Sequence, residues 1–168
     1  MGFELLPLQP EDLQSFKDDM REAFQIGAES EFPDLDVEIL HGEDIDRSLS
    51  KAGAAAYKAV VDGKMVGGAI VVIDESTKHN HLDFLYVKQG THSRGIGQMI
   101  WHAIEEKYPD TKVWKTFTPY FEKRNIHFYM NRCGFAVVEF FNPHHKDPNI
   151  PENMIGGDYF FSFEKRMK

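Results

Sequence analysis

The chain has a single cysteine, Cys133, in 168 residues, so no internal disulfide can staple it. A reducing, cytoplasmic setting is expected. It also lacks long apolar runs. Ala69 to Ile73 is typical of those present, far short of the ~20 residues that span a bilayer, so no membrane role is expected. The first residues, Met1-Gly2-Phe3-Glu4, offer neither a basic nor an apolar segment, and no secretion signal is expected. Basic residues are outnumbered, 19 Lys and Arg against 27 Asp and Glu, leaving a net charge of -8. Neutralising a phosphate backbone needs clustered cations, so nucleic acid is not expected as a partner. An acidic surface attracts a cationic partner such as an amine, or simply keeps the chain soluble. His79, His81, His144 and His145 match no zinc spacing, and no second thiolate exists, so no metal is expected.

What is present suffices for one folded unit. Hydrophobic residues make up 42% of the chain, enough to fill a core without staples, and a single domain over 1–168 is expected. Phe3 to Leu8 reads as a strand. Pro10-Glu11-Asp12 opens a helix whose apolar stripe is Leu13, Phe16, Met20 and Phe24. The acidic stretch Ala28 to Val37 contains Pro33 and reads as a loop, and Asp44 to Lys51 as a short helix. Asp62-Gly63 between the apolar runs Ala55–Val61 and Met65–Ile73 signals a hairpin. Gly67-Gly68 in the second run suggests a bulge or a close backbone approach.

His81 to Val87 reads as a strand. Strict alternation would put Leu82, Phe84 and Tyr86 on one face and His81, Asp83, Leu85 and Val87 on the other. Gly95 to Tyr108 is helical in its spacing of Ile96, Met99, Ile100, Ala103 and Ile104. A strand over Lys112–Phe117, a helix over Phe121–Arg132, and strands over Ala136–Phe141 and Asp158–Phe163 follow, the last two joined by a Pro- and His-containing loop. The order is β-α-α-β-β-β-α-β-α-β-β, a mixed sheet carrying helices rather than a strictly alternating fold.

The segment from Val87 to Gln98 carries the most chemistry. A strand runs into a loop, His92-Ser93-Arg94-Gly95-Ile96-Gly97, that opens a helix. Such a start presents unpaired N–H groups and the positive end of a dipole, and its glycines clear the approach for an anion. This is a phosphate cradle of a particular sort. Gly90 and Gly95 have the separation of a nucleotide-triphosphate loop, but Ile96 stands where its lysine belongs. The dinucleotide fingerprint fails too, because Ile100 occupies the place of its third small residue.

On these residues the chain resembles the GNAT superfamily of N-acetyltransferases. The family motif, Gln/Arg-x-x-Gly-x-Gly/Ala, starts five residues past the end of an apolar strand. His92 to Gly97 falls in that register after Val87, departing at the first position, where His92 stands in place of Gln or Arg. Phe128-Tyr129 before Gly134-Phe135 matches a second family feature, with Tyr129 five residues before the glycine rather than the usual four. The family's Asn, about seven residues before the Tyr, has Asn125 as its nearest counterpart, four before Tyr129.

The resemblance implies an α/β fold: a mixed, mostly antiparallel sheet of about seven strands, splayed between the fourth and fifth, flanked by about four helices. It implies acetyl-CoA as co-substrate. The backbone of Leu85, Tyr86 and Val87 would hold the thioester and pantetheine arm. The amides of Ser93, Arg94, Gly95, Ile96, Gly97 and Gln98, with His92 in front of them, would hold the pyrophosphate, and Asn125 would support the cofactor. The implied reaction moves acetyl from acetyl-CoA to a primary amine by direct transfer in a ternary complex. A non-catalytic acyl-CoA-binding or regulatory module on the same fold is the alternative. The acceptor would be a small-molecule or peptide amine, and a homodimer is common in families of this kind.

Transfer from a thioester needs a base for the amine, donors for the oxyanion and an acid for the thiolate. Tyr129 is the family-matched acid. His81 and Asp83, on the strand where the family often places a Glu, are the candidate bases, His being suited to proton transfer near neutral pH. Glu29 and Glu31, in the acidic loop after the first helix, are alternative bases and candidates for attracting a cationic acceptor.

Overall fold

A computed structural model describes residues 2–91, 95–147 and 159–168. Its strands are β1 (Phe3–Pro7), β2 (Ala54–Val61), β3 (Lys64–Val72), β4 (His79–Val87), β5 (Val113–Pro119), β6 (Ala136–Phe141) and β7 (Phe160–Arg166). Its helices are α1 (Leu13–Glu31), α2 (Gly42–Leu49), α3 (Ile96–Lys107) and α4 (Lys123–His127). A 3-10 turn, Pro10–Asp12, leads into α1, and a π turn, Phe128–Arg132, continues α4. The seven strands form one sheet in the order β1-β2-β3-β4-β5-β7-β6. Every pairing is antiparallel except β4 with β5. No helix among the described residues is long and apolar enough to cross a membrane.

The parallel pair is short. His79, Asn80 and His81 pair with Val113, Trp114 and Lys115, and the register stops there. Both strands run on, β4 to Val87 and β5 to Pro119. From Leu82 onward the edge of β4 that faces β5 therefore has no strand partner. This is the splay expected between the fourth and fifth strands.

Two cores flank the sheet. On one face α3 and the π turn bury Ile96, Ile100, Trp101, Ile104, Tyr129 and Phe135 against Trp114 and Phe163. Trp101 and Trp114 meet edge to face at 5.1 Å, the favoured geometry for an aromatic pair. On the other face α1 and α2 bury Phe16, Met20 and Ile45 against Ile70 and Tyr86. Both glycines of Gly67-Gly68 mark close approach. A Cβ on Gly68 would lie 2.6 Å from the Phe16 ring and 2.6 Å from the Tyr57 carbonyl oxygen. The hairpin turn uses Asp62 and Gly63, both at positive φ, as a two-residue turn between right-twisted strands requires.

Several boundaries differ from the sequence reading. The first helix does not stop before Ala28. Ala28 is buried, continuing the stripe of Phe16 and Met20, and α1 runs to Glu31. It ends because Phe32 precedes Pro33, which disfavours helical backbone; Phe32 has φ -125 and ψ 82. Glu29 and Glu31 therefore sit on the last turn of α1, exposed, and not in a loop. The second helix begins at Gly42, two residues early, because the Asp44 carboxylate accepts a hydrogen bond from the His41 amide at 2.9 Å. The last strand begins at Phe160 and continues through Arg166, since Glu164, Lys165 and Arg166 pair with Lys115, Trp114 and Val113. Asp158 lies outside the described residues.

The face assignment along β4 is also corrected. The register with β3 slips between Ile70, paired with Phe84, and Val71, paired with Leu82. Asp83 is the extra residue of a bulge. Leu82, Leu85 and Val87 pack into the α3 core, whereas Phe84 and Tyr86 pack into the α1 core. Asp83 points to the α2 side, opposite to Leu85 and Val87. Its Oδ2 accepts from Ser48 Oγ at 2.6 Å and from Lys51 Nζ at 2.8 Å, and its Oδ1 lies 2.8 Å from His81 Nδ1. Burial alone would raise the Asp83 pKa, but contacts from His81, Lys51 and Ser48 outweigh it and hold the carboxyl at about 2.

Two predictions follow from this packing. Gly68→Ala forces the Phe16 ring and the Tyr57 backbone apart and is expected to destabilise the fold by about 1–3 kcal/mol, read as a lower urea midpoint. Asp83 has a folded pKa below its ordinary value, so its stabilisation is present above about pH 4 and lost as pH falls toward 2. Asp83→Asn should therefore lower stability at neutral pH by roughly 2 kcal/mol and flatten that acid limb in urea titrations at stepped pH.

Candidate active site

The gap between β4 and β5 opens into a cleft of about 540 Å³. Four elements wall it. The end of β4 contributes Leu85, Tyr86 and Val87, the start of α3 contributes Gly97 and Gln98, α1 contributes Ala23, Phe24 and Gly27, and α4 with its π turn contributes Asn125, Phe128 and Tyr129. On the β3 side the backbone of Leu85 to Val87 is paired with Gly67 to Ala69. Its other edge faces the gap, so an extended molecule could lie along it as a further strand would.

The start of α3 is built for an anion. Gly95 caps the helix at φ 79, left-handed backbone that favours glycine, and nothing lies within 4 Å of where its Cβ would be. The first helical bond runs from the Met99 amide to the Gly95 carbonyl at 2.9 Å. The amides of Ile96, Gly97 and Gln98 thus lack intrahelical partners. Gly97 is small for a second reason: a Cβ there would sit 3.1 Å from the Phe128 ring. The glycine lets α3 and α4 close on one another at the cleft wall. Gln98 Nε2 donates to the Arg132 carbonyl at 3.0 Å and ties the two walls together. Lys88, Arg124 and Arg132 line the cleft, so cations gather here despite the chain's net negative charge.

Of the residues singled out in the sequence, Leu85, Tyr86, Val87, Gly95, Gly97, Gln98, Asn125 and Tyr129 line this cleft together. Ile96 turns its side chain into the core and offers only its backbone. His92, Ser93 and Arg94 lie outside the described residues. His81 and Asp83 are not among the cleft's lining residues; they form the cluster with Ser48 and Lys51 beside α2.

The odd spacing of Tyr129 and Gly134 has a physical form. The Cys133 amide bonds to the Phe128 carbonyl at 3.0 Å, five residues back, which is the closure of a π turn. The additional residue is taken up in that wider turn. Tyr129 stays 6% exposed, within the aromatic cluster of Phe128, Phe135 and Phe163. Burial, with the nearby Cys133 thiol, pushes its pKa well above the ordinary phenol range, against a hydrogen bond with Thr116 that lowers it.

Among the lining residues that the sequence did not single out, Glu122 stands apart. Glu122 is 8% exposed, lines the cleft, and stands at the cap position of α4 without making a cap hydrogen bond. Burial raises its pKa to about 6, with Arg124 lowering and Glu31 raising it further. The available signal was its place seven residues before Tyr129, where the family resemblance reserves an Asn.

Comparison with known proteins agrees with this geometry. The family model described as the acetyltransferase (GNAT) family matches residues 13–135. The uncharacterised protein YrkN of Bacillus subtilis strain 168 is 47% identical over 165 residues, covering 94% of this chain and 89% of that one. The PaiA N-acetyltransferase of Thermoplasma acidophilum, solved in complex with coenzyme A, superposes with a TM-score of 0.71 at 19% identity, covering 99% of this chain and all of the other. The ribosomal-protein-S18-alanine N-acetyltransferase of Escherichia coli gives 0.72 at 11% identity, over 99% and 95% of the two chains. A GNAT family acetyltransferase of Elizabethkingia anophelis with acetyl-CoA bound gives 0.68 at 15% identity, over 98% of each chain. Matched over most of its length by that model, and by a relative nearly half identical to it, the chain belongs to the acetyltransferase (GNAT) family.

Proposed function

We propose that the protein is an N-acetyltransferase that moves an acetyl group from acetyl-CoA to a primary amine, directly, with both substrates bound. One observation carries this reading. The unpaired edge of β4 and the open amides of α3 share a single cleft, with Tyr129 in its wall. The coenzyme A or acetyl-CoA bound in structural neighbours supports the choice of co-substrate.

Each part has a role that follows from its chemistry. The amides of Ile96, Gly97 and Gln98 would face the pyrophosphate, continuing the loop of His92, Ser93 and Arg94, and Lys88, Arg124 and Arg132 supply countercharge. The backbone of Leu85 to Val87 would hold the pantetheine arm and present an N–H to the oxyanion as the amine attacks. Asn125 borders the same space. Tyr129, kept protonated by its burial, would donate to the sulphur as the C–S bond breaks. Asp83, committed to Ser48 and Lys51, acts on this reading as a strut that orients His81 and α2, and Glu31 contributes negative potential to the acceptor side.

Calorimetric titration with acetyl-CoA tests the cofactor, and absence of heat at millimolar ligand would refute it. Tyr129→Phe is expected to lower kcat by about 10²- to 10⁴-fold while acetyl-CoA affinity stays within about threefold. Thiol release followed against an amine panel measures the first, calorimetry the second. Unchanged kcat would remove Tyr129 from the acid role. Binding without thiol release from any amine would leave a binding module.

A further inference from the structure

We infer that Glu122 is the catalytic group that receives the acceptor's ammonium head and takes its proton. The inference rests on the transferase reading above and supplies what that reading lacks, a base inside the cleft.

Glu122 has the position for it. It stands where β5 hands over to α4, on the α1 side of the cleft. A Cβ on Gly27 of α1 would lie 3.8 Å from Glu122 Oε2, so the carboxylate sits against α1 at a point where no side chain covers it. It is close enough to Tyr129 to act on it electrostatically. Base and acid therefore face one space.

A structural duty for this carboxylate is hard to find. It makes no cap hydrogen bond to α4. Among the described residues no Lys or Arg forms an ion pair with it. Among the described residues its carboxylate accepts one hydrogen bond, from Asn125 Nδ2 to Oε2, long at 3.5 Å. A carboxylate 8% exposed with such thin support is unfavourable by itself and becomes favourable with a cation beside it. The groups facing it are Arg124 and Asn125 on α4, Tyr129 on the π turn and Glu31 on α1. Burial and Glu31 hold its pKa at about 6, above the ordinary carboxylate value, where a base can work near neutral pH. The second carboxylate, Glu31, also favours a cationic acceptor over a neutral or acidic one.

The step balances. The bound alkylammonium gives one proton to Glu122, which passes it to solvent. The freed nitrogen lone pair attacks the thioester carbonyl, forming the C–N bond. The tetrahedral intermediate collapses, the C–S bond breaks, and the sulphur takes the Tyr129 proton. The nitrogen's second proton then restores Tyr129 as the amide forms.

The test uses the full chain, acetyl-CoA, and three amine probes: benzylamine, diaminobutane and a lysine-bearing peptide. In the wild type, kcat/KM should show an acidic limb with its midpoint near pH 6. Glu122→Gln keeps size and polarity. It should bind acetyl-CoA within about threefold of wild type, lose about 10²- to 10³-fold in kcat/KM and lose that limb, whereas Glu122→Asp should keep the limb at an intermediate rate. Glu122→Gln turnover within about threefold of wild type, or an unmoved limb, overturns the assignment. So does a loss confined to acetyl-CoA affinity, which would put Glu122 on the cofactor side. A wild type that binds acetyl-CoA yet releases no thiol with any probe overturns the transferase reading and this role together.

Discussion

The site depends on how early β4 and β5 part. Three residue pairs join them, ending at His81 and Lys115, and beyond them the Thr116 hydroxyl still reaches across, donating to the Leu82 carbonyl at 2.9 Å. Beyond that point backbone groups of β4 have no strand to satisfy them, and buried N–H and C=O groups do not stay unpaired without a cost of ~1–3 kcal/mol each. The gap is therefore a place prepared for a polar, extended occupant. The end of that unpaired edge and the start of α3 line the same cleft. On the proposed reading, one strand thus directs both the arm and the phosphate end of the cofactor.

The electrostatics divide along the cleft in the same way. Lys88, Arg124 and Arg132 collect where an anion is expected, in a protein that is otherwise acidic. Glu122 and Glu31 collect on the α1 side. Two carboxylates outside the cleft have partners. Asp83 is held by Ser48 and Lys51, and Glu105 pairs with Lys165 at 2.7 Å. Asp83, with its partners, is held below its ordinary pKa, while Glu122, which has no ion pair among the described residues, rises. The contrast between these two acids is one of neighbours more than of depth.

Much of this was legible in the chain, and what was not has identifiable causes. The order of elements, the Asp62-Gly63 hairpin and the glycine-framed start of α3 are local, and local spacing reveals them. The bulge at Asp83 is not local. It arises from the register with β3, and it turns the carboxylate to the face opposite the one that alternation assigns. The spacing between Tyr129 and Gly134 was visible as an irregularity, but only the backbone shows that it is a π turn keeping Tyr129 buried. Glu122 was overlooked because a glutamate before a run of Lys123, Arg124 and Asn125 looks like a solvated helix start. Its burial comes from α1, about a hundred residues earlier in the chain, an approach that no pattern within α4 announces.

The narrow join between β4 and β5 also bears on how the molecule comes apart. The sheet is in effect two smaller sheets, β1 to β4 and β5 with β7 and β6, welded at one end and held elsewhere by the aromatic core around Trp101 and Trp114. Such a seam is where cooperative unfolding units tend to divide. A molecule bonded to the free edge of β4 and packed against α4 spans the seam and acts as mortar between the halves. Its departure would loosen amides on both sides of the gap, so the protection of backbone hydrogens in strands far from the α3 loop becomes a report on whether the cleft is filled.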